Sequence, residues 1–544
     1  MKKLFTGVLS TAMIASLAIT GCSSNQETTP SPNDGKTEEK AAEKKESVIR
    51  MNIQTEPPSL HPGIATDTQS ITVIRATMEG LMRIGMDGKP HEAAAEKVEI
   101  SEDLKTYTFT IRDHKWSNGE AVTAHDFEYA WKWILTPTNE APYANLLYLI
   151  ENAEAAKKGE ASLDDVGVKA LDEKTLQVTL NNPTPYFLEF TAFSVFYPMN
   201  KAVNEGNTNW HAEANTHVGN GPYKLAEWAH GSELVLKKSD TYWDAASVKG
   251  DTVKLMVIED QNTEVSMFEA GELDWAGSPL SEIPPDALVP LLQEGKVTSQ
   301  PIAGTYLYRF NTTKEPFTNA KIRKAFSYAI DRQSLVENVA QGGQMPAMAW
   351  VPPTMIPENE KGLFQDNNVE EAKKLLEEGL KELGKDSLPP IELLYNTQEL
   401  NTKLAQAIQD QWRANLGVEV TLVNKERKVQ LEEEKAGQYM MSRGAWLGDI
   451  NDPVNFLELF VAVEGNNRTY WTNPEFTKLI NDTYAMNDNN ARMENFKKAE
   501  KILMDEMPFM PIYFYTYNYM KADNLKDVYM DGLGSLDLKW AYME

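Results

Sequence analysis

An α/β fold is predicted for this chain by three features of its sequence. Two short stretches, Thr106-Tyr-Thr-Phe-Thr-Ile-Arg112 and Lys174-Thr-Leu-Gln-Val-Thr-Leu180, alternate apolar and polar residues, the pattern of a half-buried strand. Two longer ones, Glu370–Leu383 and Thr402–Leu416, carry apolar residues at helical spacing, as in Leu375, Leu376 and Leu380. Gly417 then stands where a helix C-cap glycine belongs, and Val418-Glu-Val-Thr-Leu-Val423 reads as a strand directly after it. Helix, glycine and strand in that order are the grammar of layered α/β structure. With 544 residues, 42% of them hydrophobic, the chain can bury a large core and has the length for two or three domains.

The N-terminus reads as an export segment. Lys2 and Lys3 precede an apolar run from Leu4 to Ile19, too short for a comfortable membrane span and without a basic stop-transfer flank. Ile19-Thr20-Gly21-Cys22 resembles the bacterial lipobox, an aliphatic residue and two small ones before an acylated cysteine. Residues 1–21 are then expected to be a signal peptide, and Cys22 a lipid-modified residue anchored by two acyl chains in the membrane. Cys22 is the single cysteine of the chain, so the folded body carries no disulfide, catalytic thiol or cysteine metal site. From Cys22 to about residue 48 the sequence is polar, charged and rich in Pro, Ser and Thr, which cannot bury enough surface to fold and is expected to be a disordered tether.

Charge and missing motifs narrow the function. A formal net charge of -27 argues against nucleic acid, whose phosphates are held by Lys and Arg. It also argues against electrostatic attachment to anionic lipid, leaving the acyl anchor to hold the protein. The seven histidines, His61, His91, His114, His125, His211, His217 and His230, form no metal-ligand spacing. No phosphate-binding glycine loop, nucleophile elbow or dinucleotide fingerprint occurs, so no cofactor and no metal are implied. An exported chain of this kind reads as a binding protein before it reads as an enzyme.

Three further segments, with the Thr106–Arg112 strand upstream, carry a family resemblance. Trp116-Ser-Asn-Gly-Glu-Ala-Val-Thr-Ala-His-Asp-Phe127 resembles the W-S-[DN]-G-x-P-V-T-A-x-D-F segment of extracellular solute-binding proteins for peptides, with Ala121 in place of the family's proline. Ile322-Arg-Lys-Ala-Phe-Ser-Tyr-Ala-Ile-Asp-Arg332 is similar to that family's V-R-x-A-x-x-x-A-I-D-R helix. Gly444-Ala-Trp-Leu-Gly-Asp-Ile-Asn-Asp-Pro453 is similar to G-W-x-x-D-x-x-[DE]-P of its oligopeptide-binding branch. The order is preserved from about Met51 to the C-terminus.

The resemblance implies a two-lobed, three-domain periplasmic-binding-protein-like fold of class II type, with mixed sheets and a discontinuous domain I. By the matched segments, domain I spans 49–78, 201–303 and 517–544, domain II 79–200, and domain III 304–516. It further implies a monomer without enzymatic activity that binds short peptides and delivers them to the permease subunits of an ABC transporter. Dipeptide, signalling-peptide, murein-peptide and nickel capture are variants on the same fold; a secreted acidic hydrolase or a surface adhesin would be different classes.

Residue by residue, the resemblance assigns Asp449 to the peptide amine, although its neighbours alone read as an Asx-turn. Ala65, Thr66 and Thr68 on one side and Gly444, Ala445 and Leu447 on the other match segments that pair with the peptide backbone. Trp446 matches a pocket aromatic, with core packing as its other reading. Tyr143 and Tyr515 match tyrosines that line the cleft. Arg443 keeps a position that meets the peptide carboxylate. Glu434 stands where an enterobacterial-type member has Arg, Asn401 where it has His, and Arg427 where it has Trp. A different carboxylate register, served by Arg427 or Arg443, is therefore expected.

Overall fold

Eleven strands of one mixed sheet run through the computed structural model, which describes residues 46–463 and 465–544. The predicted signal peptide, Cys22 and most of the tether lie outside the described residues. In spatial order the sheet runs Val420–Lys425, Ile391–Asn396, Met441–Leu447, Thr298–Phe310, Phe509–Lys521, Trp275–Gly277, Val48–Asn52, Thr252–Met256, Glu233–Lys238 and Tyr223–Ala229. The eleventh, Met345–Pro346, pairs with Phe509–Lys521 off this path. Some neighbours are parallel, as Val48–Asn52 with Thr252–Met256, and others antiparallel, as Thr298–Phe310 with Phe509–Lys521.

Those two central strands, each of 13 residues, are long because they serve two cores. One core gathers buried side chains from Ile49 to Leu280 and again from Leu525 to Ala541. The other gathers them from Ala303 to Tyr513. The ladder between the crossing strands slips at Pro301/Thr305 and at Tyr306/Leu307, where the chain passes from one core to the other. Gly304 lies at this step, and a Cβ there would meet Leu447 at 2.5 Å and Tyr515 at 3.0 Å. A separate antiparallel sheet, Ala95–Ile100, Thr106–Ile111, Thr175–Thr179 and Val168–Ala170, packs beside the first core under helix Ala124–Leu135.

Local chemistry explains the recurring segments. In Trp116–Phe127, Gly119 turns the chain at φ +92°. Thr123 and Asp126 then form a reciprocal capping box, with the Thr123 N–H donating to Asp126 Oδ2 at 2.8 Å. In Ile322–Arg332 the helix predicted as continuous ends at Tyr328, and Asp331 caps a new short helix, Arg332–Leu335. The break places Arg332, fully buried, to donate to the carbonyls of Pro511 at 2.7 Å and Ser327 at 3.0 Å and to Asp366 at 2.8 Å. This segment therefore clamps a helix end to a crossing strand.

The other elements fall close to expectation: helices Val369–Glu382 and Glu399–Leu416, with Gly417 at φ +69° as the cap. The strand after it is Val420–Lys425, two residues later than predicted, because its register is set by parallel pairing with Ile391–Asn396. The C-terminal segment is tied back by a buried ionic cluster. Arg75 pairs with Asp531 at 2.8 Å, and Arg83 pairs with Asp537 at 2.6 Å and Glu79 at 3.1 Å.

Candidate functional site

Strand Met441–Leu447 has one complete neighbour and one incomplete one. Along its whole length it pairs with Thr298–Phe310, but on its other side Ile391–Asn396 reaches only Met441 and Ser442. From Arg443 to Leu447 that second edge has no strand partner among the described residues. Gly448 donates its N–H to the Ala303 carbonyl at 2.7 Å. Alternation along the strand then turns the backbone groups of Leu447, Ala445 and Arg443 outward. Gln430 takes the Arg443 carbonyl at 2.8 Å, which leaves Ala445 and Leu447 as the open positions.

Just past this edge the chain turns at Asp449. Asn455 fixes the turn, its Oδ1 accepting from the Asp449 N–H at 3.0 Å and from Trp446 Nε1 at 3.2 Å. The Asx role suggested for Asp449 belongs instead to Asp452, which accepts from the Val454 N–H at 2.9 Å and pairs with Arg492 at 3.0 Å. The Asp449 carboxylate has no cationic partner among the described residues. Its side chain reaches solvent, yet the walls around it partly desolvate the carboxyl and raise it above the ordinary value, while Asn455 draws it back.

Asp449 opens into a cavity shared by both cores, with Phe190, Phe193, Arg75, Asp531 and Glu189 among its walls. Arg75 and Asp531 are already paired. Glu189 was missed from sequence; its one signal is a lone carboxylate in the apolar run Phe187-Leu-Glu-Phe-Thr-Ala-Phe193. Burial, then the neighbouring charges of Asp452 and Asp531, push its carboxyl up to about 8. Tyr143 stands at the same place: its ring meets Phe193 edge-on at 5.8 Å, and its hydroxyl donates to the Thr66 carbonyl at 3.4 Å. Ala65 and Thr66 are irregular rather than strand, Ala65 is buried, and Thr68 opens helix Thr68–Thr77 after the Asp67 cap. Only Thr66 of these is exposed.

On the opposite face of the open strand a box of tyrosines holds Arg443. Its guanidinium lies 4.5 Å over the Tyr306 ring and donates to the Tyr515 hydroxyl at 3.3 Å, while its buried Nε has no hydrogen-bond partner. Asn401 is wholly buried beneath, accepting from the Tyr306 hydroxyl at 2.9 Å, so it supports Tyr306 and is not brought to the cavity surface. Arg427, on helix Arg427–Lys435, opens into another cavity beside Ala445, with Glu434 and Trp446. The predicted residues therefore gather in three groups: Tyr143, Thr66 and Asp449; Arg443 and Tyr515; and Arg427 with Trp446 and Ala445.

Comparison with known proteins agrees with the fold. The chain is 49% identical to the oligopeptide-binding protein OppA of Bacillus subtilis over the full length of both. Among solved structures, the unliganded open form of the periplasmic murein tripeptide binding protein MppA superimposes with a TM-score of 0.85 at 32% identity, over 92% of this chain and 98% of that one. Haemophilus influenzae OppA in complex with the peptide RPPGFSPFR, at 31% identity over 92% and 99%, gives 0.63. At similar identity, the chain superimposes more closely on the unliganded open form of MppA than on the OppA peptide complex. Family 5 of the bacterial extracellular solute-binding proteins, by its middle region, matches residues 89–468, and the chain belongs to that family.

Proposed function

We propose that this protein is a membrane-anchored receptor that binds short oligopeptides outside the cytoplasm and hands them to an ABC permease, with no chemistry of its own. The observation that carries the reading is the open edge at Ala445 and Leu447 ending on Asp449. An extended peptide added to that edge gains main-chain hydrogen bonds without its sequence being read. Its ammonium then meets a carboxylate that has no other cation. In a closed, water-poor site such a pair is strong and oriented, provided the carboxylate's remaining hydrogen bonds are made, as the one from Asn455 is.

Arg443, held in its tyrosine box with an unused Nε, is the proposed partner of the peptide's carboxylate end. The domain division at 49–78, 201–303 and 517–544, 79–200, and 304–516 belongs to the same reading, as do acylation of Cys22 and action as a monomer. Described helices are none of them long and apolar enough to cross a membrane, so the acyl chains would supply the attachment.

Titration calorimetry with peptides of two to eight residues, free and N-acetylated, tests the assignment. Free peptides bind, acetylated ones bind more weakly, and Asp449→Asn weakens the free ones by about 1–3 kcal/mol. Equal affinity for acetylated and free peptides would remove Asp449 from the amine.

A further inference from the structure

The cavity beside Ala445 carries charge opposite to that around Asp449. It has a volume of about 170 Å³, and Arg309, Arg427, Arg468, Glu434, Ala445 and Trp446 are among its lining residues. Glu434 is the one carboxylate among these, and it is committed: wholly buried, it accepts from Ser442 Oγ at 2.6 Å, Gln430 Nε2 at 3.1 Å and Arg309 at 3.3 Å. Arg427 is left to donate to a neutral amide, Gln430 Oε1, at 2.7 Å. Burial, and next the positive charge of Arg443, lowers the Arg427 guanidinium from its ordinary range.

The strand itself makes room for this excess. A Cβ at position 444 would run into the Arg309 guanidinium, so Gly444 is what lets Arg309 lie across the sheet into the cavity. In a protein of net charge -27, concentrating guanidiniums in a half-enclosed space is unfavourable unless an anion joins them. Ala445, whose outer backbone edge has no strand partner among the described residues, is itself part of the cavity wall. Alternate side chains of a strand added there point to this face, so a residue opposite Gly444 or Trp446 is directed into it.

We propose that this cavity is a carboxylate subsite, in which Arg427 and Arg309 receive the acidic side chain of an Asp or Glu within the bound peptide. The inference rests on the peptide-binding reading above. A peptide's own terminal carboxylate is chemically the same group, and the test separates the two sources.

The experiment titrates the full chain with alanine-based pentapeptides that carry one Glu at the second, third or fourth position, or Gln at the same place. Each is made with a free and an amidated C-terminus, and wild type is compared with Arg427→Gln. Two charge-assisted hydrogen bonds predict that at one position Glu is preferred over Gln by about tenfold or more. The preference survives amidation, and the Glu/Gln ratio falls to about one in Arg427→Gln. A ratio near one at every position in wild type overturns the proposal, as does a ratio that Arg427→Gln leaves unchanged. A preference abolished by amidation overturns it in favour of the chain end. Failure of every peptide to bind overturns the peptide reading itself and the subsite with it.

Discussion

Glu189 and Asp449 face the same cavity from different lobes, one in an apolar run and one at the end of a strand. Because Glu189 is held at about 8 against an ordinary 4.5, the fold accommodates its neutral form. That contribution to stability is fully present below the ordinary value and is lost as pH rises through about 8. Glu189→Gln keeps the neutral shape without the titration. Its melting temperature should therefore exceed that of wild type by more at about pH 9 than at about pH 5. Parallel melting curves across that range would show that Glu189 is solvated after all. Ligand adds a second readout. An ammonium drawn into the cavity favours ionised Glu189, so free-amine peptides should release a proton near neutral pH, seen as a binding enthalpy that changes with the buffer's ionisation heat.

At the scale of elements, the open edge makes a prediction distinct from any side-chain change. Leu447 is exposed, and its N–H faces away from Thr298–Phe310. Proline is tolerated where a strand N–H faces solvent, but it cannot donate to an added strand. Leu447→Pro should weaken all peptides alike by about 1–2 kcal/mol, with a smaller loss of melting temperature than of affinity. A loss confined to peptides of one sequence class would point to side-chain contact instead. The sequence segments around this element divide by role. Trp116–Phe127 and Ile322–Arg332 stand out in the sequence, yet their polar groups cap helices and bind backbone carbonyls. Their visibility reflects demanding local geometry. Gly444–Pro453 has both: Asp452 and Asn455 shape the turn so that Asp449 projects without a partner.

For the whole molecule, the two crossing strands are the mechanical link between cores, and their ladder slips where they pass between them. Such an interrupted ladder bends more readily than the packed cores on either side. The chain superimposes on an unliganded open relative at 0.85, against 0.63 for a peptide complex. A tight-binding peptide should lower the radius of gyration in small-angle scattering, because the closed state makes contacts to ligand that the open state lacks. A saturating peptide that leaves the scattering curve unchanged would mean that binding and closure are uncoupled in this chain.

By itself the sequence determined what depends on neighbours along the chain. The α/β alternation, the Gly417 cap and a turn in the segment after Leu447 are local signals, set by periodicity and by side chains that bond nearby backbone. Asp452 and Asn455 make that turn, and not Asp449. Family-like segments added the lobes and the candidate amine site. The tertiary structure decided what depends on distance. The Glu189 carboxyl is raised only because the fold removes water from it and brings Asp452 from the other core, and Asp531 from the distant C-terminal segment of its own, beside it. Asn401 supports Tyr306, and Arg427 lines a cavity of its own, because the packing of their two helices fixes which face each side chain takes. Charge and burial at a site are sums over the whole fold, and no stretch of sequence contains all of the contributing groups.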